Sequence, residues 1–209
     1  MYWFTIQCIL ARESLQRAML NHQLKQEYLE GDVLDLGAGG SERYSNFIPR
    51  SADSTYNTFD NKEGEDFTDF EKDSLPYKDG QFSDVLLTNV LEHLYNPHNI
   101  LSEIKRIKTE RLIGYVPFLM WYHPDPHDFV RYTHESLERI LKENGYADIE
   151  IVPFAPGPYS AAYQMVFPTI PRLLRPICFS VAYVLDALFR KLRGKSAERY
   201  VLGYYFRCR

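Results

Sequence analysis

The sequence predicts an α/β fold with a mostly parallel, doubly wound sheet and helices on both faces. Three observations carry that expectation. Short apolar runs of strand length alternate with amphipathic stretches at intervals of roughly 20 to 30 residues, the rhythm of βαβ units. The first run, Val33-Leu34-Asp35-Leu36, stops at the glycine cluster Gly37-Ala38-Gly39-Gly40. The 209 residues are 45% hydrophobic and 25% charged, an ordinary globular balance, and the length suits one domain.

Taken in order, residues 10–29 predict an N-terminal helix, with Leu15, Met19 and Leu24 near a 3.6-residue spacing. Gly31-Asp32 ends it. After the first strand a short helix is expected around Glu42 to Phe47, stopped by Pro49. Tyr56 to Phe59 forms a second strand ending in Asp60, and residues 61–80 form an acidic loop. Phe82 to Thr88 is a third strand. Pro97 to Ile107 is a helix with Ile100, Leu101, Ile104 and Ile107 on one face, and Leu112 to Val116 a fourth strand. Ser136 to Asn144 is a helix closed by Gly145. Ile149 to Val152 and Tyr200 to Cys208 complete the sheet. The expected organisation is one domain: the N-terminal helix, a core over about 30–152, and an inserted helical segment over about 160–199 before the last strand.

Charge and cysteine content exclude several classes. With 24 Lys+Arg against 28 Asp+Glu the net charge is −4, which argues against general nucleic-acid binding. Cys8, Cys178 and Cys208 are dispersed and form no CxxC pair, so neither a disulfide framework nor a cysteine zinc site is expected, and a reducing cytoplasm fits. The apolar start MYWFTIQCIL lacks a basic leader and a small-residue cleavage site. No charge-free apolar run is long enough to span a bilayer.

Glycines after a first strand permit positive φ and let the backbone approach a ligand closely. Here Asp35 precedes them, and their spacing departs from the G-x-G-x-x-G of dinucleotide sites. An acid at that strand end disfavours a pyrophosphate and favours a cationic ligand. Asp60, at the end of the second strand, is placed to accept from ribose hydroxyls.

These residues carry a resemblance. VLDLGAGG (33–40), Asp60 and LPYKDGQFSDVLLTNVLEHLYNP (75–97) resemble the class I S-adenosylmethionine-dependent methyltransferases, within the ubiquinone/menaquinone-methyltransferase-like superfamily, over about residues 30–152. HPDPHDFVRYTHESLERILKENGY (123–146) resembles a subgroup associated with cell-surface glycan biosynthesis. The resemblance implies a Rossmann-like fold with an antiparallel last strand, and S-adenosylmethionine as cofactor. By match to the family motif, Asp35, Gly37 and Gly39, with Ala38 between them, cradle its amino-acid end. Asp60, with Asn61 beside it, holds the ribose. Asp69 and Phe70 fall at the adenine loop, where Asp66 or Glu71 are alternatives, and Asn89 falls at the methionine end. Two departures stand out: Ser41 replaces the third glycine, and Lys108-Thr109-Glu110-Arg111 replaces a Pro-Gly-Gly turn.

Methyl transfer to a hydroxyl needs an aligned acceptor and a base. His93, in Glu92-His93, is one candidate base, or else caps the strand–helix junction. His127 with Asp128 is a second: base and orienting acid, or else Asp128 caps a helix and pairs with Arg131. Arg131 suits an anionic or hydroxyl-rich acceptor, and Trp121 or Tyr132 a sugar face, with His123 in the same loop. His123, Asp125, His127 and Asp128 are also metal-ligand types, although the leading reading uses no metal.

Between Arg172 and Arg199 seven basic residues stand against two acidic ones, a local +5 that leaves −9 for the rest. This segment is expected to form a lid over the acceptor or a homodimer contact, or to lie on an anionic membrane surface through 172–193. The leading function is O-methylation of a sugar or glycan intermediate, a small-molecule or glycan acceptor. A lipid-soluble or small aromatic acceptor, and an inactive methyltransferase-like scaffold, are the alternatives.

Overall fold

The computed structural model describes residues 1–39, 44–60, 68–193 and 199–209. Six strands form one sheet: β1 (Asp32–Leu36), β2 (Thr55–Phe59), β3 (Phe82–Thr88), β4 (Lys108–Pro117), β5 (Glu150–Pro153) and β6 (Gly203–Cys208). Their order is β2-β1-β3-β4-β6-β5. β1 through β4 pair in parallel, while β6 runs antiparallel to both β4 and β5. The chain leaves β1 toward β2 on one side and returns to β3 on the other. The strand order therefore reverses beside β1, and a crevice opens at the carboxyl ends of these strands.

Alternation along each strand divides the core into two layers. Leu34 and Leu36 of β1, Leu112 and Val116 of β4, and Tyr204 and Phe206 of β6 face one layer. There they meet α3 (His98–Ile107) and α4 (His134–Glu143) through Ile100, Leu101, Ile104, Leu137 and Leu141. Val33, Ile113, Tyr115 and Tyr205 face the other layer. It is covered by α1 (Tyr2–Leu10), α2 (Leu15–Leu24), α5 (Pro158–Val166) and α6 (Arg175–Arg193). α4 starts as its sequence dictates: the Thr133 side chain accepts from the Ser136 N–H, and Ser136 answers in a capping box.

Several expectations change. The single helix over 10–29 is two helices, α1 and α2. The break falls at Arg12, whose φ of 74° leaves the helical region, and Ser14 caps the new start by accepting from Arg17 N–H. The fourth strand, expected from Leu112, begins at Lys108, so the polar residues Lys108 to Arg111 are the first residues of β4. Arg111 makes this tolerable, since its guanidinium is forked onto Asp84 at 2.9 Å and reaches Glu27 at 3.1 Å. The last strand starts at Gly203 rather than Tyr200. Pro176 sits in the first turn of α6, where a missing N–H costs nothing. The helix expected around 42–47 is a short 3₁₀ turn, Ser45–Phe47, within the described residues.

Candidate active site

The crevice holds two adjoining recesses that share Gly37, Gly39, Asn89, His93 and Asp125. The turn after β1 makes them adjacent. Gly37 and Gly39 have φ of +75° and +64°, conformations that side chains resist. A Cβ at Gly37 would collide with Val90, whereas one at Gly39 would meet nothing within 4 Å. Gly39 thus presents bare backbone to open space.

The larger recess, about 810 Å³, is lined by that turn, Asp60, Asp69, Phe70, His127 and Phe129. Asp60 is half-buried, and no hydrogen bond reaches its side chain among the described residues. Asp69 is already occupied: it accepts from Glu71 N–H and from the Lys72 ammonium, both at 2.9 Å, and that ammonium holds its carboxyl below the ordinary range. Glu71 accepts from the Tyr95 and Asn96 N–H groups. Phe70 is buried against Phe59, with ring centres 6.2 Å apart. Asn61, Asp66, Gly40 and Ser41 lie outside the described residues.

The smaller recess, about 240 Å³, joins pieces distant in sequence. Gln16 and Arg17 come from the first turn of α2, and Ala38 and Tyr44 from the β1 side. Thr88, Asn89, Glu92 and His93 follow β3, and His123, Asp128 and Arg131 follow β4. Asn89 turns the chain into the recess with a φ of 54°, its N–H donating to Tyr115 O. Four buried atoms around this recess have no hydrogen-bond partner among the described residues: Gln16 Oε1, Arg17 Nη1, Thr88 Oγ1 and Glu92 Oε2. An unpaired buried polar atom is costly unless a ligand or water satisfies it. Glu92 is 3% exposed, and burial pushes its carboxyl up to about 8, with Arg131 opposing weakly.

The loop after β4 is strapped onto this end of β3. Phe129 N–H donates to Glu92 O at 2.8 Å, and the His93 ring Nδ1 bonds His127 O. His93 Nε2 stands 3.9 Å from Glu92 Oε1.

Several expected site residues take different positions. Asp35 lines neither recess. It is buried beneath the turn, its two oxygens accepting from Tyr44 and Tyr56 hydroxyls at 2.7 Å each, and burial raises its carboxyl to about 6. His127 and Asp128 form no dyad. Asp128 is forked onto Arg131 and accepts from His123 N–H at 2.7 Å, which lowers its carboxyl, while the His127 ring is exposed beside Phe129. No helix is capped by Asp128, because residues 120–133 are loop. Arg131 also donates to the backbone oxygens of Trp121 and Val130, so its charge is neutralised and its donors largely committed. Tyr132 is buried in the α3/α4 layer, which pushes its phenol to about 12, and it faces neither recess. Trp121 meets the site only through its carbonyl. Among the described residues no three His, Cys, Asp or Glu side chains converge as a metal cluster. None of the described residues of the inserted segment lines either recess, and Gln164 of α5 instead buttresses α2 by accepting from Gln16 N–H. Gln16 and Arg17 carried no sequence signal, because α2 reaches the crevice only through packing. Glu92 was visible beside His93, but its inward direction was not.

Residues 34–110 match the model of a family described as a methyltransferase domain. Among curated proteins none matches the sequence. A solved SAM-dependent methyltransferase from Archaeoglobus fulgidus superposes over 97% of this chain and 93% of its own, with a TM-score of 0.50 and 18% identity. The [4+2]-cyclase SpnF superposes over 95% of this chain and 83% of its own, with a TM-score of 0.53 and 16% identity. The chain has the class I methyltransferase fold, and its match to the methyltransferase-domain model spans residues 34–110.

Proposed function

We propose that this chain is an S-adenosylmethionine-dependent methyltransferase acting on a hydroxyl of a polar, sugar-like acceptor, with cofactor and acceptor in adjoining recesses. The cofactor half fits. Gly39 offers a bare backbone cradle, and Asp60 offers an uncommitted carboxylate for a vicinal diol in the larger recess. Gly37, Ala38, Gly39 and Asn89 would hold the amino-acid end, and Phe70 and Asp69 would bound the adenine. When bound, the cofactor supplies an electrophilic methyl on a sulfonium and ends as a neutral thioether.

One observation carries the acceptor half: Gln16 Oε1, Arg17 Nη1 and Glu92 Oε2 are buried and unpartnered around one recess beside the glycine turn. An apolar or aromatic acceptor would leave all three unpaired, at about 1–3 kcal/mol each. A hydroxyl-rich acceptor satisfies them. Glu92 takes the proton from the attacking hydroxyl, because its raised affinity for protons makes the ionised form a strong base near neutrality. Arg131 and Asp128, paired to each other, wall the recess and orient the loop. His93 is bound to the same loop and acts as a positioning residue.

Calorimetry with S-adenosylmethionine tests the reading. Micromolar binding that Asp60→Ala weakens supports it, and no binding at high protein concentration rejects it. The fold alone does not settle the reaction, since a [4+2]-cyclase shares it. Methyl release onto a panel of hydroxylated sugars, lost in Glu92→Gln, separates transfer from binding.

A further inference from the structure

The outer face of α6 is apolar along its length and is left uncovered among the described residues. Phe179, Ala182 and Asp186 point inward. Ile177, Val181, Val184, Leu188 and Leu192 recur every three or four residues on the opposite side, between 53% and 81% exposed, a stripe about 20 Å long. Leu173 extends it beyond the helix start at 90% exposed. Trp3 stands on the neighbouring helix at 76% exposed, where Tyr2 anchors α1 by packing on Phe179 and Tyr183. Among the described residues no helix is long and apolar enough to cross a membrane.

Charge selects the occupant. Arg172 stands exposed at one end of the stripe and Lys191 at the other, and neither has a carboxylate partner among the described residues, while Arg175 and Arg190 add charge at the same ends as they donate to the Ile170 and Pro156 carbonyls. The one acid on α6, Asp186, is fully buried and spent on the Tyr159 and Ser160 N–H groups that start α5. The exposed face is therefore apolar with cations at both ends. A second copy packed on it, parallel or antiparallel, would set cation against cation. We propose that this face lies on an anionic phospholipid surface, with Trp3 at the headgroup level and the stripe at the acyl boundary. Asp186 and Gln164 then tie the docked helix, through α5, to Gln16 at the acceptor recess. The proposal stands independently of the reaction.

The test is co-sedimentation of the whole chain with vesicles of phosphatidylcholine alone or mixed with phosphatidylglycerol. Binding to the mixed vesicles is expected to exceed binding to the neutral ones by about tenfold and to fall as salt rises. Val181→Asp with Leu188→Asp should abolish it while leaving the heat of S-adenosylmethionine binding unchanged. Arg172→Glu with Lys191→Glu, at fully surface positions, should cut it by about tenfold. No binding to anionic vesicles, or binding indifferent to charge reversal, overturns the proposal. So does a concentration-dependent dimer that the apolar substitutions dissolve, which would give the face to a second copy, or capture of an acidic protein in place of lipid. Vesicle binding without cofactor binding would sink the reading of the cleft and leave this one standing.

Discussion

The two recesses share one glycine turn yet are built from opposite materials. The larger is shaped by backbone and by groups already satisfied: Asp69 is held by Lys72, Glu71 by two backbone amides, and Phe70 by Phe59. Asp60 and Asp125 are its carboxylates with no side-chain hydrogen bond among the described residues. The smaller is lined by buried groups left unsatisfied, among them Gln16, Arg17 and Glu92. A rigid, prepaired surface suits a ligand that is always the same, and unpaired buried groups suit one whose own polar atoms complete them. The difference teaches which half should control chemistry and which should control cofactor affinity.

The sharpest break would come from Glu92→Gln. The amide keeps the shape and loses the base, so kcat should fall by about 10²–10⁴ with cofactor affinity unchanged. In the wild type kcat/KM should rise as pH passes about 8, and the variant should lose that limb. Stability moves the other way. The Glu92 carboxyl titrates near 8 when folded against an ordinary value of 4.5, so its contribution is intact below 4.5 and is lost as pH rises toward 8. The melting temperature of the variant should overtake that of the wild type across this window. An equal shift of both proteins with pH would remove Glu92 from the buried, proton-holding role.

The cofactor half predicts a smaller effect. Asp60→Ala should weaken S-adenosylmethionine by about tenfold to a hundredfold, the value of a hydrogen bond to a charged group. Calorimetry reads it directly, and unchanged affinity would move the ribose contact elsewhere. Across the divide, Gln16→Ala should raise the acceptor KM by about fivefold and leave cofactor affinity alone, which steady-state kinetics separates. A Gln16 variant that weakened the cofactor instead would erase the division between the recesses.

The same division explains what the sequence could show. Asp35 to Gly39 are contiguous and Asp60 ends the next strand, so the cofactor half is written in short range. The acceptor half is assembled from α2, the end of β3 and the loop after β4, and no local pattern joins Gln16 to Glu92. The break between α1 and α2 was hidden because Arg12 takes a left-handed φ without a glycine to signal it. The polar start of β4 lies outside the apolar run Leu112 to Val116 that signals the strand, and Asp84 and Glu27, the partners of Arg111, lie far away in sequence. Neighbours in sequence misled as well. Asp35 precedes the glycines at the position the family motif gives to a ligand contact, but its side chain lies beneath them and accepts from Tyr44 and Tyr56.

His127 gives the smallest and most discriminating expectation. Its sequence setting, between Pro126 and Asp128, suggests an oriented base. Orientation requires a partner on the ring, and Asp128 is forked onto Arg131 instead. Among the described residues only the backbone oxygen of His127 is hydrogen-bonded, by the His93 ring and the Asp125 N–H. The ring lies exposed in the larger recess, whereas Glu92 lies in the smaller one with the unpaired groups. His127→Ala should therefore change kcat by no more than about twofold, because the carbonyl that holds the loop survives the substitution. A loss of a hundredfold would place the proton transfer in the larger recess and exchange the roles of the two halves.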